Sequence, residues 1–318
     1  MLNQTTNIKV SVCVVTYNHE KYLAEALDSI LMQEVDYPIE IEIGEDRCTD
    51  KTLAICKEYE KKYPGIIRLH VNEKNLGYNW NFYRTMERCR GEYVAVLDGD
   101  DLWTDPQKLK KQIDFLDNHA KYSICFSKYY VCDKDSKLGQ VTGFSGYYDL
   151  NDVLAGKCPG TRTVVFRKKY FPAVLTDEFE QISYADHILF ALIASQGPIC
   201  GLDEPLAAYR MISDSIYASK SMETRALNVV TNYELMKSVF SEKDQQEAIN
   251  EGIVNEQIRL ERYYFFTFNI GKLAQNSYKL IVFDFSEKKI NFIRSWKIII
   301  KTSLKLLIGK INIHQARM

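Results

Sequence analysis

The stretch IKVSVCVVTYNHEKYLAEALDSILMQ (residues 8–33) changes its periodicity halfway along. Its first part is a short β-rich run that stops at Tyr17-Asn18. Its second part sets Leu23, Leu27, Ile30 and Leu31 at helical spacing. A strand thus passes through a polar loop into an amphipathic helix, and the same alternation continues. IEIEIGEDRCTD (39–50) reads as strand and turn, and KTLAICKEYEKKYPG (51–65) as a helix stopped by Pro64-Gly65. IIRLHVNE (66–73) is a strand, NWNFYRTMERCRG (79–91) a helix and YVAVLDGDD (93–101) a strand. Regular alternation of this kind predicts right-handed βαβ crossovers and an α/β fold. Its central sheet should be mainly parallel, with helices covering both faces.

Ligands of such sheets bind beyond the carboxyl ends of the strands. Three strands here end in polar, turn-forming groups: Thr16-Tyr17-Asn18, Glu45-Asp46 and Asp98-Gly99-Asp100. Asp50 is placed to cap the helix that follows it. Beyond residue 105 the pattern changes. DPQKLKKQIDFLDNH (105–119) reads as an amphipathic helix with Pro106 in its first turn. YSICFSKYYVCD (122–133) and TRTVVFRKKYF (161–171) read as strands, YADHILFALIASQ (184–196) as a helix and PICGLDEPLAAYR (198–210) as a strand region. From about residue 216 the chain reads as largely helical and carries no catalytic constellation.

At 318 residues the chain can bury a sizeable core. Its 41 basic and 42 acidic side chains nearly cancel, so global charge gives no reason to expect a nucleic-acid partner. The eight cysteines form no C-x-x-C pair and are expected to be reduced core thiols rather than disulfides or zinc ligands. The first residues lack the pattern of a signal peptide, and no apolar run approaches the ~20 residues needed to span a bilayer. A cytoplasmic location is expected.

Carboxylates as close as Asp98, Asp100 and Asp101 raise one another's pKa unless a cation offsets the repulsion. A hard divalent ion, Mg²⁺ or Mn²⁺, suits carboxylate and water oxygens, and Mg²⁺ is usually held by one or two protein carboxylates plus substrate phosphates. Gly99 between the two aspartates is expected to let the chain turn tightly.

Four segments together carry a specific resemblance: SVCVVTYNHEKYLAEALDSILMQ (11–33), EIGEDRCTDKT (42–52), NEKNLGYNWN (72–81) and YVAVLDGDDLWTDPQKL (93–109). In order and spacing they resemble the family 2 glycosyltransferases, inverting enzymes of the GT-A fold. The resemblance spans roughly residues 8–215. It implies a nucleotide-binding half (1–105), an acceptor half (106–215) and a C-terminal helical extension (216–318).

Several site residues follow from the same resemblance. Thr16, Tyr17 and Asn18 would line the nucleoside pocket, and Asp46 would accept a hydrogen bond from a uracil imide. Asn75 and Gly77 would form the turn beside the nucleotide. Asp98 would face the ribose or the metal's water shell, and Asp100 would ligate the metal directly. Asp101 would contact sugar or acceptor, or else cap the following helix. Asp186 matches the position of the catalytic base, which takes the acceptor hydroxyl's proton. His187 beside it is expected to pack or support.

Trp103 would stack on a sugar or pack in the core. Arg162 and Thr163 would reach the acceptor, and Arg210 would meet the diphosphate or a structural carboxylate. The implied partners are a nucleotide-sugar donor, UDP-linked, and a glycan or lipid-linked acceptor. The rival readings are a sugar nucleotidyltransferase, whose Gly-rich phosphate loop TYNHEKY does not resemble, and a non-catalytic binding protein.

One departure stands out. Many members of the family read Y-R-x-H after the last core strand, where the histidine completes the metal site. Here AAYRMISDS (207–215) has Ile212 at that place, and no histidine lies nearby in the sequence. Farther on, KKINFIRSWKIIIKTSLKLLIGKI (288–311) sets an apolar stripe (Ile293, Trp296, Ile300, Leu304, Leu307, Ile311) beside a basic one (Arg294, Lys297, Lys301, Lys305). Such a helix is expected to lie on an anionic membrane surface, or else to pack its apolar face on the catalytic domain and leave the lysines in water.

Overall fold

The computed structural model describes residues 7–172, 182–212, 220–267, 269–287 and 293–300. The chain divides into two compact units, Met1–Val153 with Lys157–Ser215, and Leu154–Gly156 with Ile216–Met318.

The first unit begins with the anticipated alternation. In order it runs β1 (Val10–Thr16), α1 (Leu23–Leu31), β2 (Ile39–Glu45), α2 (Thr52–Lys62), β3 (Ile67–Val71), α3 (Tyr78–Arg88) and β4 (Tyr93–Asp98). Then come β5 (Leu102–Trp103), α4 (Lys108–Asn118), β6 (Ile124–Cys132), β7 (Leu138–Thr142), β8 (Gly146–Tyr148) and α5 (Leu150–Leu154). β9 (Val165–Arg167), α6 (Ala185–Ala194) and β10 (Ile199–Arg210) complete it. The sheet order is β3-β2-β1-β4-β9-β6-β10-β5, with β7 added on β6 and β8 on β10. β3, β2, β1 and β4 pair in parallel, as do β6 and β10. The segment read as a long strand, 161–171, holds only three strand residues between two tight turns. β9 lies antiparallel to both β4 and β6 and joins the two parallel halves.

β1 is flanked by β2 and β4, and every one of its residues is buried. That double coverage is why its sequence is an almost unbroken apolar run. β2 instead buries charges that find partners. Glu40 accepts from Ser11 Oγ at 2.6 Å and from the Arg90 backbone N–H at 2.9 Å, and Glu42 meets His70 Nε2 at 2.6 Å. Gly44 sits where α3 crosses most closely; a Cβ there would lie 2.0 Å from Thr85 Oγ1. All eight cysteines are free, six of them buried, as expected of core thiols.

Pro106 precedes α4 rather than lying in its first turn, and Asp105 Oδ1 accepts the Gln107 N–H there at 2.7 Å. α4 also buries Lys108 completely. Its ammonium donates to Gln112 Oε1 at 2.7 Å and lies 4.3 Å from the Trp103 ring centroid. Burial pulls the Lys108 pKa down to about 7, against about 10.4 in an unfolded chain. The folded state therefore binds fewer protons between these values, so stability from this group rises as pH climbs from 7 towards 10 and the penalty stands in full below 7. Chemical denaturation at pH 6.5 and 9.5 checks this. Relative to Lys108→Met, the wild type should gain on the order of 2 kcal/mol on alkalinisation. The buried thiols, whose titration acts in the opposite direction, cancel in the comparison.

The second unit contains α7 (Met222–Val239), α8 (Lys243–Phe266) and α9 (Ile270–Glu287), and residues 293–300 are also helical. Ser221 caps α7 by accepting the Thr224 N–H, and Glu242 with Gln245 forms a capping box on α8. The buried Glu261 of α8 accepts from Ser277 and Ser295, which fastens both later helical segments to it. In the described part of the tail, Ser295 and Ile299 are buried while Ile293 and Ile300 are exposed. Residues 288–292 and 301–311 of the amphipathic tail lie outside the described residues. Among the described residues no helix is long and apolar enough to cross a membrane.

Candidate active site

Strand register brings the polar strand ends together. Thr16 is opposite Glu45 across β1 and β2, and Val15 is opposite Asp98 across β1 and β4. The loops beyond them are stitched to one another. Asn18, at φ 57°, accepts the Thr49 N–H at 2.8 Å and donates its own N–H to Cys48 Sγ at 3.2 Å. His19 N–H donates to Thr52 Oγ1 at 2.8 Å and Glu20 N–H to Asp50 Oδ2 at 3.0 Å. The other oxygen of Asp50 accepts the N–H of Thr52, the first residue of α2. Tyr17 and Asn18 stay exposed, while Thr16 is buried.

Asp46 has a different role from the one expected. It is 2% exposed, and its carboxylate accepts from Asn72 Nδ2 (2.9 Å), Leu76 N–H (2.8 Å) and Gly77 N–H (2.9 Å). In this arrangement it folds the 72–77 loop rather than presenting an acceptor to a base. Asn75 also accepts from Gly77 N–H, and Gly77 turns at φ 79°, where a side chain would be strained. That turn delivers Tyr78, the first residue of α3, whose hydroxyl donates to Asp98 Oδ1 at 3.2 Å. The sequence reading missed Tyr78; its position directly after the Asn-x-Gly turn was the available signal.

Asp98 is half-buried at the end of β4. Burial, with the charges of Asp101 and Asp100, pushes its carboxyl well above the usual range, and Arg162 opposes the rise. Asp186 adds to the shift on Asp98, and burial, followed by the charges of both aspartates, raises the Tyr78 phenol. Asp98 and Asp186 therefore share one electrostatic neighbourhood. Asp186 lies in the first turn of α6, accepting Thr161 Oγ1 at 3.0 Å on one oxygen and the His187 N–H at 3.0 Å on the other. Asn79 of α3 holds the start of α6 in place, accepting the Ala185 N–H and donating to the Ile182 carbonyl. His187 is buried, and desolvation pulls it down to about 4 against the pull of Asp186, so it is a neutral packing residue at pH 7.

The four residues expected at the acceptor are used elsewhere. Asp101 is 2% exposed; one oxygen accepts from Arg162 Nε and the other from the Arg210 N–H at 2.9 Å, and it caps no helix. The Arg162 guanidinium lies over the Tyr129 and Tyr209 rings, at 4.8 and 4.3 Å from their centroids. Trp103 is 1% exposed, with Nε1 bonded to the Arg162 carbonyl at 3.1 Å. Thr163 is fully buried and donates to the Gly160 carbonyl. Each is held by the floor of the site because its polar atoms are satisfied there. Arg210 is likewise fully buried, bonded to Glu25, Ser136 and the carbonyls of Asp100 and Lys134, so of its two expected partners it meets the structural carboxylate.

At Gly99 the reason for glycine is space rather than a left-handed turn. A Cβ would lie 2.8 Å from His19 Nδ1 and 2.9 Å from Thr16 Oγ1. His19, far from Ile212 in the sequence, is a histidine close to Asp100 in space: its Nε2 is 3.8 Å from Asp100 Oδ2. Among the described residues no three His, Cys, Asp or Glu side chains group as a complete metal site. A carboxylate and an imidazole do face each other, and two buried atoms without hydrogen-bond partners, Thr16 Oγ1 and His19 Nδ1, border the same turn. That donor set fits a cation that keeps most of its shell for phosphate and water. A cleft of about 300 Å³ is lined by Tyr129, Phe144, Cys158, Pro159 and Gly160 among others, the last of these preceding Thr161 in the chain.

Residues 11–172 match the model of glycosyl transferase family 2. The uncharacterized protein Rv1520 of Mycobacterium tuberculosis is 32% identical over 249 residues, 76% of this chain and 71% of that protein. TuaG of Bacillus subtilis, named as a putative teichuronic acid biosynthesis glycosyltransferase, is 29% identical over 221 residues, 68% of this chain and 84% of that one. Among solved structures, residues 1–349 of S. aureus TarS in complex with UDP-GlcNAc superpose with a TM-score of 0.54 at 18% identity, covering 89% of this chain and 93% of that chain.

Proposed function

Because the chain belongs to glycosyl transferase family 2 and is a glycosyltransferase of the GT-A fold, we propose that it moves a sugar from a UDP-linked donor to a glycan or lipid-linked glycan, with inversion, in cell-surface polysaccharide synthesis. The observation that supports this reading is that Thr161, which holds Asp186, is next to Arg162, which holds Asp101 beside the turn that ends β4. An attacking hydroxyl must lose its proton on the face opposite the departing nucleotide, and a carboxylate set across from the donor turn can take it.

Tyr17, Asn18 and the Asn75–Gly77 turn form the exposed rim proposed for the nucleoside. Asp98, hydrogen-bonded by Tyr78, faces the ribose side. A divalent cation held by Asp100 and the donor's phosphates would supply charge neutralisation for the departing diphosphate. Thr161 holds the Asp186 carboxylate, and the aromatic walls at Tyr129 and Phe144 suit a sugar face. Association with an anionic cytoplasmic leaflet fits the exposed Ile293 and Ile300 beside Arg294 and Lys297, and would bring a lipid-linked acceptor to the enzyme.

Calorimetric titration of UDP with and without Mn²⁺ tests the donor site. Binding should require the metal in the wild type and be lost in Asp100→Ala. Failure of UDP, GDP and dTDP to bind under any condition would overturn the reading.

A further inference from the structure

We propose that His19 is the second protein ligand of the divalent cation, so that Asp100 Oδ2 and His19 Nε2 form the protein half of the site and the donor's diphosphate the other half. This rests on the nucleotide-sugar reading above. The two atoms stand 3.8 Å apart, too far for a hydrogen bond between them. Two ligands each about 2.1 Å from one ion lie roughly 3 Å apart when adjacent and roughly 4 Å when opposite. The observed separation lies between the two values, so a sub-ångström shift of the side chains brings the pair to either.

The imidazole is held there by its backbone. His19 N–H donates to Thr52 Oγ1, and its carbonyl accepts the N–H groups of Tyr22 and Leu23 at the start of α1, each at 2.9 Å. Its ring lies against Gly99, where any larger residue would displace it. The neighbouring Thr16 hydroxyl, 1% exposed and beside the same turn, has no hydrogen-bond partner. The side chains of His19 and Asp100 are 20% and 14% exposed, so both keep a solvent-accessible edge.

The same geometry accounts for Ile212. With an imidazole supplied from the loop after β1, the end of β10 need not provide one, and an apolar residue is tolerated there. It also predicts metal preference. Nitrogen is a poor ligand for the hard Mg²⁺ and a better one for transition ions, so Mn²⁺ should be bound more tightly than Mg²⁺.

Electron spin-echo spectroscopy of the Mn²⁺·UDP complex reads ligation without any turnover. The wild type should show ¹⁴N modulation from coordinated imidazole, and labelling the five histidines with ¹⁵N should change it. His19→Gln should abolish the modulation and weaken Mn²⁺ binding in the presence of UDP by about 10- to 100-fold, with the melting transition of the apo-protein preserved. Asp100-dependent Mn²⁺·UDP binding without nitrogen modulation in the wild type would overturn the assignment of His19 and leave the donor site standing. Absence of any Mn²⁺·UDP complex would overturn the donor reading itself, and this inference with it.

Discussion

Asp186→Asn is expected to bind Mn²⁺ and UDP as the wild type does and to release UDP from a UDP-sugar about 10²- to 10⁴-fold more slowly, whether the acceptor is a glycan or water. Asparagine has the size of aspartate, and its carbonyl oxygen can still accept from Thr161 Oγ1 or from the His187 N–H, the two bonds that orient the native side chain. What it lacks is the capacity to take a proton. The substitution therefore separates positioning from acid–base chemistry. A fall in kcat at unchanged nucleotide affinity assigns the base; an undiminished rate would place the base elsewhere. Thr161→Val should have a smaller effect in the same direction, because it frees the carboxylate to rotate without removing it.

The second large effect is on stability. Arg162→Met should lower the free energy of unfolding by about 3–5 kcal/mol, since it leaves Asp101 buried with the Arg210 N–H as its one remaining hydrogen bond. Burial pushes Asp101 up to about 6 even with Arg162 beside it. A carboxyl raised above its unfolded value of about 3.9 costs stability as pH rises through the interval between them. Removing the cation widens that interval, so the deficit should be greatest at neutral and alkaline pH and shrink below pH 6. Urea denaturation at pH 5 and 8 measures both. Were Arg162 an acceptor contact instead, the variant would lose affinity for acceptor at unaltered stability.

These two residues show where reading along the chain succeeds and where it stops. The placement of Asp186 was legible because a carboxylate opening a helix is a local pattern, set within a few residues. Asp101 and Arg162 were not, since their pairing joins positions 61 apart in sequence, and nothing local distinguishes a buried ion pair from two exposed contacts. For Trp103 the sequence left sugar stacking and core packing open, and the pairing of β5 with β10 buries it and selects core packing.

The strand and helix order of the first hundred residues, and the appearance of Thr16, Asp46 and Asp98 at one sheet edge, follow from hydrophobic period and from the handedness of βαβ connections. Both are properties of the backbone that a sequence displays directly. The partner of Asp100 is of another kind. His19 and Asp100 are remote in the chain and meet because β1 and β4 are parallel neighbours, so that the loops leaving both strands open on the same side. Gly99 was expected for its freedom to turn, whereas its value lies in the ring and hydroxyl packed against it. Periodicity reports which face of an element is buried, but which side chains from distant segments share a few ångströms depends on how the elements pack.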